Sequence, residues 1–158
     1  EGKGSTWEGG MRTPTIAWQP RSVPAASVWQ ELGSTLDFLP TFCAMAGAEA
    51  PKDRVLDGYD VSAALKGGKS SRKEMFFYRS YDLMAVRLGK WKAHFLTQPG
   101  YGQPMADKHE PPLLFDLEVD PGESYNLAAK HPEVLAEIKA FVEKHKAGMQ
   151  PAASQVDL

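Results

Sequence analysis

Leu83-Met-Ala-Val-Arg-Leu-Gly-Lys-Trp-Lys-Ala-His-Phe-Leu-Thr97 is the stretch on which the fold turns. Two β-like runs, 83–88 and 90–97, flank Leu88-Gly89-Lys90, and so short a connection with a glycine in it predicts a hairpin. Alternation places Trp91, Ala93 and Phe95 on one face and Lys92, His94 and Leu96 on the other. Outward from the hairpin, residues 75–80 (Met-Phe-Phe-Tyr-Arg-Ser) read as the preceding strand. Residues 98–112 read as a loop rich in Pro and Gly, and Leu113-Leu-Phe-Asp-Leu117 as a fourth strand. Asp120-Pro121-Gly122 is a turn. A final helix is predicted over about 132–147, with Pro132 in its first turn and Val134, Leu135, Ile138, Phe141 and Val142 as its apolar stripe. Residues 71–150 therefore read as a four-stranded antiparallel sheet with a helix on one face, and 151–158 as a flexible tail.

Residues 1–70 have a different texture. Residues 1–12 form a Gly-rich loop. Pro14-Thr-Ile-Ala-Trp18 reads as a short buried strand ended by Gln19-Pro20. A helix is predicted over 34–47, capped by Ser34 or Thr35, with Pro40 in its first turn and Gly47 at its end. Leu36, Leu39, Phe42, Cys43 and Ala46 recur at helical spacing and are expected to face inward. Asp60 caps a short helix through Leu65, stopped by Gly67-Gly68. Strand and helix alternating in this way suit an α/β layered domain, with the second half of α+β character.

The bulk properties exclude several classes. The 158 residues are 42% hydrophobic and 24% charged, a globular composition. A net charge of −2 gives no electrostatic footprint for nucleic acid or an acidic membrane. No apolar run approaches the roughly 20 residues of a membrane span. The single cysteine, Cys43, rules out an internal disulfide and a thiolate-rich metal site. The opening residues are polar, do not read as a signal peptide, and lack an initiator Met; they read as the interior of a longer polypeptide.

Three features could carry chemistry. The first loop sets Lys3, Glu8 and Arg12 among Gly4, Gly9 and Gly10. Glycines admit a ligand close to the backbone, and a cation attracts an anion. The loop is neither a phosphate-binding Walker loop nor a dinucleotide fingerprint; on composition alone it reads as a solvated loop. Second, none of His94, His109, His131 and His145 stands at zinc-like spacing. His131 and His145 flank a helix and read as structural or solvated. His109, in a loop before Glu110-Pro111-Pro112, is the better functional candidate. Third, Cys43 lies on an apolar helix face and reads as a small hydrophobe. The pairs Asp57/Asp60 and Asp116/Asp120 read as caps and turn formers.

Read whole, Lys3-Gly-Ser-Thr-Trp-Glu-Gly-Gly-Met-Arg-Thr-Pro14 closely resembles the sulfatase family, above all its arylsulfatase A and N-acetylgalactosamine-6-sulfatase branch. Further matching stretches follow in order. They are Ser34-Thr-Leu-Asp37, Leu39-Pro-Thr41, Ala46-Gly47, Leu56-Asp-Gly-Tyr-Asp60 and Phe76-Phe-Tyr78. After them come Val86-Arg-Leu-Gly-Lys-Trp-Lys-Ala-His-Phe95, His109-Glu-Pro-Pro-Leu-Leu-Phe-Asp-Leu117 and Asp120-Pro-Gly-Glu-Ser-Tyr-Asn-Leu127. The resemblance covers about residues 2–147, and an ordered series is far more specific than one motif.

It implies that residues 1–70 end an alkaline-phosphatase-like α/β core and that 71–150 form its C-terminal subdomain. It implies that Lys3 contacts the sulfate of a sulfated small molecule or sugar, as a catalytic and substrate-binding residue, and that His109 approaches the substrate pocket. Glu8 and Arg12 are expected to fix the loop as a local ion pair. The family's formylglycine nucleophile needs a Cys/Ser-x-Pro/Ala-x-Arg motif, and nothing here matches it, since Cys43 precedes Ala-Met-Ala. The calcium ligands are expected upstream, so this chain is expected to hold no metal and to be inactive alone. A periplasmic, secreted or lysosomal-like setting follows by analogy. Without an N-terminal sulfatase core, residues 1–70 are expected to expose apolar surface around Trp18 and the helix at 34–47, and to self-associate. Two other readings stand beside this one: a non-catalytic interaction module, and a phosphate or phosphonate ester hydrolase of the same superfamily.

Overall fold

The computed structural model describes residues 2–100, 102 and 106–149. The expected tail, 151–158, lies outside them. In chain order the elements are α1 (Glu8–Met11), a 3-10 turn (Thr35–Asp37), α2 (Phe38–Met45) and α3 (Ser62–Leu65). Then come β1 (Glu74–Arg79), β2 (Asp82–Leu88), β3 (Trp91–Thr97), β4 (Asp107–Asp116) and α4 (Pro132–Gly148). They divide into two compact units. Residues 2–11 belong with those from 76 onward, and residues 12–75 form the other.

The first unit is built on a four-stranded sheet of order β1-β2-β3-β4. The β2–β3 hairpin closes with Leu88 opposite Trp91, and Gly89 takes the positive φ of 57° that such a tight turn requires. Val86, Ala93 and Leu114 stand abreast across three antiparallel strands. That row packs under Leu135, Ile138 and Val142 of α4, with Trp91, Phe95, Val134 and Phe141 around it. Ile138 is fully buried, and burying a side chain of its size contributes about 1.5–3 kcal/mol. The predicted stripe of α4 is thus the stripe that packs.

β4 begins at Asp107, inside the predicted loop, because Thr97 and Leu96 pair with Asp107 and Lys108 past an irregularity in register. Pro111 and Pro112 are tolerated there because β4 is an edge strand.

Residues 12–75 depart further from expectation. Pro14–Trp18 is not a strand, and Ile16 and Trp18 are 94% and 84% exposed. A strand persists only where its backbone groups are paired and a face is covered, and no strand pairs with it among the described residues. The helix at 34–47 resolves into the 3-10 turn and α2. Ser34 caps it in a capping box with Asp37, an arrangement worth about 1 kcal/mol. Its expected inward face is turned out: Leu36, Leu39 and Phe42 are exposed, and Cys43 is half-buried. The side that is buried carries Asp37, Pro40 and Thr41.

A polar hub explains the inversion. Arg72, itself buried, lays its guanidinium on the Asp37 carboxylate, with Nε to Oδ2 at 2.9 Å and Nη2 to Oδ1 at 2.6 Å. The backbone N–H groups of Ser34 and Tyr59 each donate to Asp37 at 2.8 Å. Arg72 also donates to the carbonyls of Asp57 and Glu74, and lies over the Tyr59 ring at 4.7 Å. Thr41 Oγ1 accepts from the Val61 N–H at 3.0 Å. Asp60 does act as a cap: its Oδ1 accepts from the Ser62 N–H at 2.8 Å. Periodicity located the apolar stripe, but charge pairing decided which side of the helix is inside.

Candidate functional site

Lys3 stands at the tip of a tight turn. The Ser5 N–H and Oγ both donate to the Gly2 carbonyl, at 3.2 and 2.8 Å, and Gly4 takes the positive φ of 91° that the turn's third position requires. Lys3 is exposed, whereas Ser5 and Thr6 immediately after it are buried. The turn lies directly on α1. A Cβ at Gly10 would stand 2.4 Å from the Ser5 carbonyl oxygen and 2.7 Å from that of Gly2, so only glycine permits the approach.

Below α1 is a buried charged cluster. Lys92, fully buried on β3, donates to Glu8 Oε1 at 2.8 Å and forms an ion pair with Glu123 Oε1 at 3.1 Å. Glu123 Oε2 accepts the backbone N–H of Glu8 at 2.5 Å. His94 Nε2 meets Glu123 Oε1 at 2.7 Å; a carboxylate only accepts, so this nitrogen carries the proton. Trp7 stacks on the His94 ring at 4.3 Å, and Phe115 meets both rings edge-on. Lys92 Nζ also lies 4.8 Å from the centre of the Phe77 ring.

The sheet face carrying Lys92 and His94 is therefore as dry as the α4 face. Burial pulls the His94 pKa below its ordinary value, and the charge of Lys92 adds to that against the opposing pull of Glu123. Burial works to raise Glu123, but the His94 hydrogen bond, the Lys92 charge and the Glu8 N–H outweigh it and hold the carboxyl below its ordinary range. His94 Nδ1 and Thr6 Oγ1 are buried without a hydrogen-bond partner. Glu123 holds a left-handed φ of 54°, a conformation that costs a non-glycine residue about 1–2 kcal/mol. Asp120 builds that turn by accepting the N–H groups of Ser124 and Tyr125 at 2.8 Å each.

Glu8 thus fixes the loop, but through Lys92 and not through the expected local pair with Arg12. Once Glu8 is buried, its carboxylate needs a buried cation, and Lys92 is the one the fold brings to it. Sequence reasoning does not single out Lys92 and Glu123. The available signal was a lysine in a strand between Trp91 and Ala93, and a glutamate directly after Pro-Gly; neither reveals burial.

His109 stands on β4. Its Nε2 shares a hydrogen bond with Thr97 Oγ1 at 2.8 Å. It lines a cleft of about 410 Å³ with Lys108, Glu110, Lys139, Glu143 and Lys146, which none of residues 2–11 lines. His145, read as structural or solvated, stacks on Phe76 at 3.6 Å and meets the Tyr78 hydroxyl at 3.0 Å. Among the described residues no group of three His, Cys, Asp or Glu is placed to hold a metal ion. These residues do not fit a calcium site. No helix among them is long and apolar enough to cross a membrane.

The family model of the C-terminal region of aryl-sulfatase matches residues 70–158. Human arylsulfatase A (Homo sapiens) is 48% identical over 159 residues, covering 87% of this chain and 31% of that protein. The N-acetylgalactosamine-6-sulfatase of Canis lupus familiaris is 36% identical over 180 residues, covering 99% of this chain and 34% of that protein. In three dimensions the chain is similar to the PsFucS1 sulfatase from Pseudoalteromonas sp., with a TM-score of 0.83 and 28% identity over 92% of this chain and 32% of that one. The chain spans about a third of the length of the curated relatives it matches.

Proposed function

The chain belongs to the sulfatase family, and we propose that it serves as the C-terminal region of a sulfuric ester hydrolase in which Lys3 contacts the sulfate of the substrate. One observation carries this reading. Lys3 is an exposed cation at the tip of a turn whose next residues, Ser5 and Thr6, are buried, and Glu8 just beyond them is held by Lys92 of β3 and by Glu123. A lysine ammonium is a compact point charge on a flexible stem. Held on a fixed base beside a sulfate ester, it stabilises the charge that grows on the non-bridging oxygens as the ester bond breaks. The nucleophile and the metal of such a reaction are assigned to the preceding part of the polypeptide, so the 158 residues alone are expected to turn over no substrate. His109 is assigned a substrate-facing role in the same enzyme: it lines a cleft with Lys108, Lys139 and Lys146, of which Lys139 pairs with Glu110 and Lys146 with Glu143.

The test is Lys3→Ala in a sulfatase that contains this region. With 4-nitrophenyl sulfate, kcat/KM is expected to fall by about 10²–10³-fold, the usual result of removing one preorganised charge-stabilising group. Lys3→Arg is expected to recover part of it. An unchanged kcat/KM would remove Lys3 from the site. Faster hydrolysis of 4-nitrophenyl phosphate than of the sulfate would favour the phosphoester reading.

We assign the exposed apolar side chains of residues 12–75 to a contact with the N-terminal core of the longer enzyme. Trp18, Leu36, Phe38, Leu39 and Phe42 are all exposed, with Phe38 and Phe42 stacked at 5.6 Å. Left uncovered, such groups drive association. Sedimentation velocity of the isolated 158-residue chain is expected to show a weight-average mass that rises with concentration. Phe38→Ser with Phe42→Ser is expected to reduce that rise. A strictly monomeric chain would count against the assignment.

A further inference from the structure

We infer that Glu123 is a positioning residue for Lys3: from the turn after β4 it holds α1, and through α1 the turn that carries the cation. The inference rests on the reading of Lys3 as the sulfate contact. It goes beyond that reading by naming the device that fixes where Lys3 stands.

The mechanical path is continuous. Glu123 uses one carboxylate oxygen on the backbone N–H of Glu8, at 2.5 Å, and the other on Lys92 and His94. Lys92 returns to the Glu8 side chain at 2.8 Å. The first residue of α1 is therefore held by both its backbone and its carboxylate. From Glu8 the path runs two residues to Gly10, which lies so close to the Gly2–Ser5 turn that a methyl group would overlap both carbonyl oxygens. The turn in its turn presents Lys3. Arg79 of β1 also donates to the Gly4 carbonyl at 3.4 Å and Lys92 holds the Glu8 carboxylate, so Glu123 shares the hold on the loop and is the group that fixes the Glu8 backbone.

Two features point to a function beyond packing. Glu123 sits in a left-handed backbone conformation that glycine adopts more readily, directly after Gly122. Strain of this kind persists where a side chain must be aimed. The residue so aimed is an acid, buried beside a lysine and a histidine, in a position where an apolar side chain would pack at lower desolvation cost. The groups facing it are Lys92 and His94 from β3 and Glu8 from α1, with His109 of β4 near enough to His94 to bear on its charge. Lys3, Glu8 and Gly10 of the opening loop and Glu123 of the Asp-Pro-Gly-Glu turn are thus parts of one assembly, although 115 residues separate Glu8 from Glu123.

A double-mutant cycle in the sulfatase containing this region tests it, using Glu123→Gln, Lys3→Ala and the pair, read as kcat/KM on 4-nitrophenyl sulfate. A misplaced cation is expected to cost on the order of 10- to 100-fold. Glu123→Gln should show that loss when Lys3 is present and less than about twofold when residue 3 is alanine. Gly10→Ala should reproduce the pattern without touching a buried charge, which covers the case in which Glu123→Gln does not fold. In the isolated chain, Glu123→Gln should speed hydrogen exchange at the Glu8 amide and leave the α4 amides unchanged. Equal losses from Glu123→Gln and Gly10→Ala in both residue-3 backgrounds would overturn the inference and leave Lys3 as the sulfate contact. No loss from Lys3→Ala alone would overturn both.

Discussion

Lys92→Met is expected to destabilise the sheet unit by about 3–5 kcal/mol, the cost of leaving a buried carboxylate without its cation. Methionine nearly preserves the volume and keeps the apolar stem, so packing is not what is lost. What remains is Glu8 and Glu123 facing each other around an apolar sulfur, both largely removed from water. Urea denaturation followed by tryptophan fluorescence reads the loss, since Trp7 lies on the cluster. Adding Glu8→Leu and Glu123→Leu to Lys92→Met should return much of the stability, because apolar replacement of a whole buried ionic group is often neutral or favourable. A loss below about 1 kcal/mol in the single mutant would mean that the carboxylates keep access to water or protons.

The same cluster makes the unit acid-sensitive. His94 has a folded pKa below its ordinary 6.5, so the unfolded chain binds more protons. Stability therefore falls as pH drops from about 6.5 through the lowered folded value. Glu123 is also held below its ordinary 4.5; its contribution is complete above that pH and is lost as pH falls through the folded value. Both effects have one sign. His94→Gln should flatten the fall in melting temperature between pH 7 and 5 and leave the steeper loss at lower pH.

In residues 12–75 the corresponding result is Asp37→Asn, with an expected loss of about 3–5 kcal/mol. Asparagine keeps the shape, removes the charge opposite a buried Arg72, and turns an acceptor into a donor facing a donor. The backbone bonds from Ser34 and Tyr59 compete for the single oxygen that is left. Burial works to raise the Asp37 pKa, but the Arg72 hydrogen bonds and the two backbone N–H groups outweigh it and hold it below 3.8. Its contribution is therefore present above that value and lost as pH falls through the folded pKa. Thermal denaturation from pH 7 to 2 should show an acid limb that is shallower in Asp37→Asn than in the parent protein, the remainder being the loss carried by His94 and Glu123. An acid limb of equal depth in the variant would place its origin elsewhere.

The Leu83–Thr97 hairpin was legible because period-two alternation and Gly89 are local facts of the chain. The stripe of α4 was legible for the same reason: Leu135, Ile138 and Val142 return to one side every turn. The ordered motifs carried the family. Exposure of Trp18 and α2 followed from treating the first 70 residues as part of something larger. The strand at Pro14–Trp18 and the inward face of α2 were not legible in that way. Each depended on what would cover an apolar side, which no local pattern states.

The opening loop shows the same division. From sequence, Lys3 was a cation among glycines and Glu8 a charge with Arg12 nearby. Hydrophobic period and turn chemistry placed the hairpin, the final helix and the turn at Asp120-Pro-Gly, because those signals act over a few residues. Tertiary structure alone decided that Lys92 and His94 are buried and that Glu123 reaches back across 115 residues to Glu8. Desolvation made that decision: a charge taken out of water must find its partner wherever the fold brings one, however far apart the two lie in the chain.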